Sequence, residues 1–339
     1  MGFQKTALVA LRESLIGFST NEEWLSHIYK AQIHNQWFEE KQIHLALNNW
    51  LDALSDANIN QWLGAYELPT VVHNLRLGVI MAGNIPLVGL HDLIIGVLTG
   101  YKLVAKMSSV DEVLPKFWLK KAGEIDPIWN NQIEYSENFK NLDAAIATGS
   151  NNSARYFEYY FRNIPHILRK NRNSVAVLTG TESEDELIAF GHDVFDFYGL
   201  GCRNVTKVYL PAGYAFKTLF DVWEKHHSEV AFHNKYVNNY NYHKALLLMN
   251  LDPHIDAGYI LMKERTQLYS PVGMLNYEFY SDIENLGVEI DLMKDHIQCV
   301  VSIDQRISDL TLGQTQCPKL NDYADGIDTM QWALDSIKI

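Results

Sequence analysis

Cysteine is scarce in this sequence: Cys202, Cys299 and Cys317 are the only three in 339 residues, and none forms a CxxC pair. An odd, dispersed set argues against a disulfide framework and suits a reducing compartment, so a cytoplasmic location is the expectation. Positive charge is also short. Twenty-eight Lys and Arg face 41 Asp and Glu, a formal net charge of −13, and no basic run exceeds Arg169-Lys170-Asn171-Arg172. That balance argues against nucleic acid and anionic membrane surfaces as general partners. Long apolar runs are missing too. The richest region, residues 77–100, is broken by Asn84, Pro86, His91 and Asp92, whereas a spanning helix needs about 20 mostly apolar residues. Arg12 and Glu13 interrupt the apolar start and no small-residue cleavage site follows, so no targeting segment is expected.

Several signatures of common chemistries are absent or incomplete. There is no GxxxxGK[ST] and no GxSxG, which leaves a P-loop or a hydrolase elbow without support. GLGCRN (199–204) starts like a dinucleotide fingerprint but has Asn204 where a third glycine should pack against a strand. His226, His227 and His233 lack the HExxH spacing of a helical zinc site, so no metal is expected.

What is present is ordinary globular composition, with 47% hydrophobic and 20% charged residues. The length suits two domains, or one large α/β unit with an insertion. Residues 1–65 read as helices, with Trp24, Ile28, Ile33 and Trp37 near helical spacing. From Val71 the texture changes to short β-branched runs: LGVIMAG, KLVAKM, DAAIATG, NSVAVLTG and KVYLP. Helical stretches at residues 87–98 and 111–122 lie between them, and this alternation predicts βαβ units around a mainly parallel sheet. KALLLMN (244–250), AGYILMK (257–263) and HIQCVVSI (296–303) are further strand candidates, and FHNKYVNNYNYHK (232–244) reads as a surface loop or a polar edge. The C-terminal DYADGIDTMQWALDSIKI reads as a helix with an apolar face of Met330, Ala333, Leu334 and Ile337.

Four places could carry chemistry. Cys202 follows Tyr198-Gly199-Leu200-Gly201 and precedes Arg203. The glycines permit an unusual backbone and the guanidinium favours a thiolate, so Cys202 is either a nucleophile or a structural thiol. Asn84, in AGNIP, ends a strand at the edge of a parallel sheet where α/β sites gather. Lys106 ends the next strand, where a nucleotide could lie. The segment ATGSNNSARYFEYYF (147–161) ends a strand and opens a helix, whose free N–H groups suit a phosphate or merely an ordinary cap.

In this order, GNIP, a strand ending in lysine, a TGS turn and a glycine-rich loop presenting cysteine resemble the aldehyde dehydrogenase superfamily. AGNIPLVGLHD, VAKMSS and FYGLGCRNVTKVYLP are similar more closely to the fatty-acyl-CoA reductase family, over about residues 65–320. The resemblance implies an aldehyde-dehydrogenase-like α/β fold. A helical segment at 1–65 would pack on a Rossmann-type cofactor domain at 66–168, with 305–339 returning to it, and 169–304 would form a catalytic α/β domain. It implies that Cys202 is the attacking thiolate and that Asn84, with the Cys202 backbone N–H, forms the oxyanion hole. Lys106 would meet the adenosine ribose, Gly149 and Ser150 the pyrophosphate. Gln267, in QLYSPVG, stands where a ribose-binding glutamate is usual.

Two departures from the superfamily are informative. The glutamate that activates water in hydrolytic members falls at Arg169 here, and residues 166–173 hold no carboxylate. Without that base an S-acyl intermediate should pass to an acceptor other than water. Ser109 replaces a glutamate that many NAD-preferring members place against the ribose, so Lys106, Ser108 and Ser109 could accept a 2′-phosphate. The expectation is NADPH-dependent reduction of long-chain acyl-CoA to fatty aldehyde, with NADH possible as cofactor, no metal, and a possible homo-oligomer. Acyl transfer, aldehyde oxidation by the same cysteine, or a non-catalytic nucleotide-binding relative are the alternatives.

Overall fold

A computed structural model describes residues 2–149, 151–308 and 310–337. It forms two units, residues 1–171 with 318–339, and residues 172–317.

The first unit opens with helices α1 (Phe3–Leu15), α2 (Glu22–His34), α3 (Glu40–Ala53) and α4 (Asp56–Gly64). Helix α1 has no side-chain cap at Gly2, but Ala7, Leu8, Leu11 and Leu15 are fully buried. Each buried leucine contributes about 1.5–3 kcal/mol against about 1 kcal/mol for a cap, so burial holds this helix. Tryptophans complete the layer. Trp24 Nε1 donates to the Ser14 carbonyl, Trp118 Nε1 to that of Leu11 and Trp129 Nε1 to that of Ala7.

The chain then alternates β1 (Arg76–Ile80), α5 (Leu90–Leu98), β2 (Lys102–Lys106), α6 (Val113–Ile125), the short α7 (Ile128–Asn131), β3 (Ile133–Tyr135), β4 (Ala144–Thr148), α8 (Asn151–Phe161) and β5 (His166–Arg169). The five strands lie in the order β3-β2-β1-β4-β5, and every pairing is parallel. Residues 144–147 of β4 are at most 1% exposed, as expected of a strand covered on both faces. Gly78 lets Leu142 pack closely on β1, because a Cβ there would stand 2.4 Å from Leu142 Cδ1 and that side chain would have to shift.

The second unit contains β6 (Asn173–Val177), α9 (Glu184–Phe195), β7 (Val205–Pro211), α10 (Phe216–His226), α11 (Asn234–Met249), β8 (Ile255–Asp256), β9 (Leu261–Glu264), β10 (Met274–Tyr280), α12 (Ile283–Leu292) and β11 (Ile297–Ser302). Its sheet order is β11-β6-β7-β10-β9-β8, parallel except for the antiparallel β8–β9 pair. A final helix, α13 (Thr329–Ser336), returns to the first unit and packs on α5 with Met330 and Ala333 fully buried.

One expectation fails. Residues 244–250 are not a strand, and 232–244 are not a loop: both belong largely to α11. Tyr236, Tyr240 and Leu247 are its buried positions, which lie on one helical face and so follow the helical period rather than a period of two. Among the described residues, no helix is long and apolar enough to cross a membrane.

Candidate active site

In the first unit, β1 lies between β2 and β4, with Ile80 in register with Lys106 on one side and Ala147 on the other. The C-terminal ends of these strands therefore bring the loop of Asn84, the Lys106–Ser109 segment and Gly149 to one edge. Asn84 is exposed on that loop. Gly83 lies so close to Ser108 that a Cβ would stand 2.4 Å from its Oγ. Only glycine admits that approach.

Beneath the loop sits Asp111, 4% exposed. Its Oδ2 accepts the Leu87 N–H at 2.7 Å, where Leu87 has a φ of 64°, and among the described residues its buried Oδ1 has no partner. Burial pushes this carboxyl up to about 8. Asp111 thus fixes the far end of the loop that starts at Asn84, although nothing in the sequence marks it.

Lys106 Nζ pairs with Glu137 Oε2 at 2.5 Å, and Ser108 is half-buried. Ser109 is exposed, with its carbonyl 2.5 Å from His34 Nε2. Gly149 follows β4 directly, with its N–H 3.4 Å from the Arg169 carbonyl, while Ser150 lies outside the described residues. Gly83 leaves room for close backbone approach and Lys106 supplies a cation, so this edge fits a dinucleotide. Glu137 makes the same edge less suited to a 2′-phosphate. Arg169 is turned to structure. It makes a bidentate pair with Asp92 at 2.9 and 2.6 Å and donates to the Thr329 hydroxyl and the Ala324 carbonyl.

Cys202 and Gln267 belong to the second unit. The approach to Cys202 is a left-handed turn. Phe197, Tyr198 and Gly199 have φ values of 51°, 57° and 74°. Glycine adopts this freely, but two non-glycine residues cost about 1–2 kcal/mol each. Both rings are 4% exposed, and Tyr198 stacks on His233 at 4.3 Å, so burial offsets the strain. Such strain in buried residues beside a half-exposed thiol is characteristic of functional loops.

The loop that follows is laced to the unit. Gly201 N–H donates to Asn204 Oδ1 at 2.8 Å, and Arg203 Nε donates to the Thr315 carbonyl at 2.6 Å. Asp193, fully buried, accepts the N–H groups of Gly313 and Thr315 at 2.6 and 2.9 Å. Burial raises Asp193 to about 6 against the opposing pull of those N–H bonds. Arg203 is therefore a brace as well as a charge beside the cysteine.

Gln267 is exposed between β9 and β10. Its loop is pinned through backbone carbonyls: Asn276 Nδ2 reaches those of Gln267 and Tyr269, Thr206 that of Leu268, and Lys207 Nζ that of Thr266. Of the histidines His227 and His233, His227 donates from Nε2 to the Ile188 carbonyl and is pushed down to about 4 by burial, while His233 caps α11. A cavity of about 690 Å³ lies between α12 and β11, lined in part by Val288, Ile290 and Cys299 rather than by Cys202.

No family model and no curated protein matches the chain in sequence. Solved structures do match in fold. Aldehyde dehydrogenase 21 from Physcomitrella patens, in complex with the reaction product succinate, superposes with a TM-score of 0.65 at 10% identity, over 99% of this chain and 84% of that one. A Mycobacterium tuberculosis aldehyde dehydrogenase complexed with NAD+ gives 0.60 at 12% identity, over 89% and 74%. Aldehyde dehydrogenase C from Pseudomonas syringae, a mutant complexed with NAD+ and octanal, gives 0.62 at 10% identity, over 89% and 76%. The chain has the aldehyde dehydrogenase fold, of the α/β class, with a parallel first sheet and a mixed second one.

Proposed function

We propose that the chain is an acyl-CoA reductase that works through a cysteine thioester and yields a fatty aldehyde. The observation that carries this reading is Arg169. The resemblance assigns it the place of the water-activating glutamate, and its guanidinium is locked to Asp92, Thr329 and Ala324. A cysteine enzyme of this fold that lacks the base is suited to retain its acyl group for reduction.

In the proposed reaction the Cys202 thiolate attacks the thioester carbon, the new S–C bond forms, and CoA leaves as its thiolate. When bound, the dinucleotide supplies a hydride to the acyl carbon. The resulting thiohemiacetal collapses to aldehyde and returns the thiolate to Cys202, so acyl-CoA, reduced dinucleotide and a proton give aldehyde, CoA and oxidised dinucleotide. The Asn84 amide is assigned to the oxyanion in both halves, Lys106 and Gly149 to the cofactor, and Gln267 to its nicotinamide ribose. Residues 1–171 serve as the cofactor unit and 172–317 as the catalytic unit.

With long-chain acyl-CoA and reduced dinucleotide, Cys202→Ala is expected to abolish turnover. Asn84→Ala should lower kcat by about a hundred- to thousandfold, the cost of one oxyanion donor. Wild-type turnover by Cys202→Ala would overturn the reading.

One observation bears on the cofactor. Ser108 and Ser109 favour NADPH, but the Glu137 carboxylate on Lys106 repels a 2′-phosphate and suits the hydroxyls of NADH. If Glu137 decides, Glu137→Gln should lower the Kd for NADPH severalfold and leave NADH less changed, measured by calorimetry; equal effects on both would restore the preference for NADPH.

A further inference from the structure

Three consecutive peptide groups around Cys202 are held by residues to which the resemblance assigns no role. The Leu200–Gly201 group donates its N–H to Asn204 Oδ1 at 2.8 Å. The Gly201–Cys202 group is held by its carbonyl, which accepts the Asn204 N–H at 3.2 Å. The Cys202–Arg203 group is held by its carbonyl too, which accepts Ser174 Oγ at 3.0 Å. Asn204 and Ser174 are both fully buried. Asn204 is itself anchored, with Nδ2 donating to the Asp196 carbonyl at 2.6 Å and lying 3.4 Å from that of Asp193.

Ser174 has one proton, directed at the Cys202 carbonyl, and its oxygen lies 3.0 Å from Cys299 Sγ. The Cys299 thiol is therefore the donor in that contact. Burial pushes this thiol up to about 11, which keeps its proton in place. The buried cysteine thus ends a chain from thiol to hydroxyl to peptide carbonyl.

We infer that Asn204, Ser174 and Cys299 are positioning residues for the nucleophile, which fix the direction of the Cys202 backbone N–H. A trans peptide places N–H and C=O on opposite edges of one plane. Anchoring the Gly201 carbonyl on Asn204 therefore aims the Cys202 N–H the other way, and the clamp on the next carbonyl stops the plane from rotating. Acyl transfer needs that donor where the oxyanion forms. This inference rests on Cys202 being the nucleophile, but not on the substrate being acyl-CoA.

The test compares two reactions of Cys202 in the full chain, resolved by peptide mass spectrometry. Acylation by p-nitrophenyl acetate forms an S–C bond, expels p-nitrophenolate and passes through an oxyanion. Alkylation by iodoacetamide forms an S–C bond, expels iodide and builds no oxyanion. Ser174→Ala and Cys299→Ala should slow acylation about tenfold, since a displaced donor is costly, while alkylation changes by less than about twofold. Cys299→Ser keeps a donor and should recover at least about threefold over Cys299→Ala, the scale of one hydrogen bond. Asn204→Asp keeps the acceptor but loses both Nδ2 donors, and should follow Ser174→Ala. If it does not fold, the Ser174 and Cys299 variants carry the test.

Wild-type acylation rates in Ser174→Ala, or equal losses in both reactions, would overturn the inference. So would a wild type that is alkylated but never acylated by the ester. If the ester acylates wild type and acyl-CoA does not, the proposed substrate fails and the clamp stands.

Discussion

Asp111 shows how one side chain can couple a loop to pH. Its carboxyl titrates at about 3.8 in the unfolded chain, and burial pushes it up to about 8 in the folded protein. Between those values the folded protein keeps a proton that the unfolded chain releases. Its contribution to stability is therefore present at low pH and is lost as pH rises from about 4 to about 8. Asparagine is nearly isosteric and cannot ionise. The wild-type Tm should fall between about pH 5 and about pH 8.5, and Asp111→Asn should flatten that part of the profile. Parallel profiles by differential scanning calorimetry would show that Asp111 is not the group responsible. The sequence announced Cys202, Asn84 and Lys106 because their neighbours are a turn, a strand end and glycines. It concealed Asp111, Ser174 and Asn204, whose partners are 24, 28 and 3 residues away. Asn204 stands inside GLGCRN, but the Asx pattern that would mark it runs forward along the chain, whereas its Oδ1 accepts from Gly201, three residues before it.

At the scale of elements, the parallel strands were legible because strands buried on both faces are short apolar runs. Strand β10 was not, because Asn276 and Glu278 interrupt its pattern. The fold satisfies both: Asn276 bonds the carbonyls of Gln267 and Tyr269, and Glu278 pairs with the buried Lys207. Helix α11 was misread for the opposite reason. Its run of three leucines looks like a buried strand, yet only Leu247 of the three is buried. Close helix packing is a further feature that composition hides. Helix α9 brings Gly191 against the ring of His227, just beyond α10, so closely that a Cβ would stand 2.2 Å from its Nε2. The ring is also held by the Ile188 carbonyl and cannot simply swing away. Gly191→Ala should therefore destabilise the chain by about 1–3 kcal/mol, read as a lower urea midpoint at unchanged slope. An unchanged midpoint would mean that the two segments separate without cost.

For the whole molecule, the net charge of −13 sets a requirement on the proposed reaction, because CoA and the dinucleotide are both anions. Local features must overcome that field: Lys106 at the edge of the first sheet, and Arg203 beside the cysteine of the second unit. The sequence located these groups, and the fold gave them partners, Glu137 and Thr315, that temper what each can offer an anion. The proposed reaction requires that Cys202 carry the acyl group and then give it up as aldehyde. Peptide mass spectrometry of Cys202, after mixing with long-chain acyl-CoA and then with reduced dinucleotide, tests it most directly. An acyl adduct on Cys202 should form and then disappear when the dinucleotide is added, with one equivalent of aldehyde trapped. An adduct that persists, or one lost as fatty acid, would contradict it.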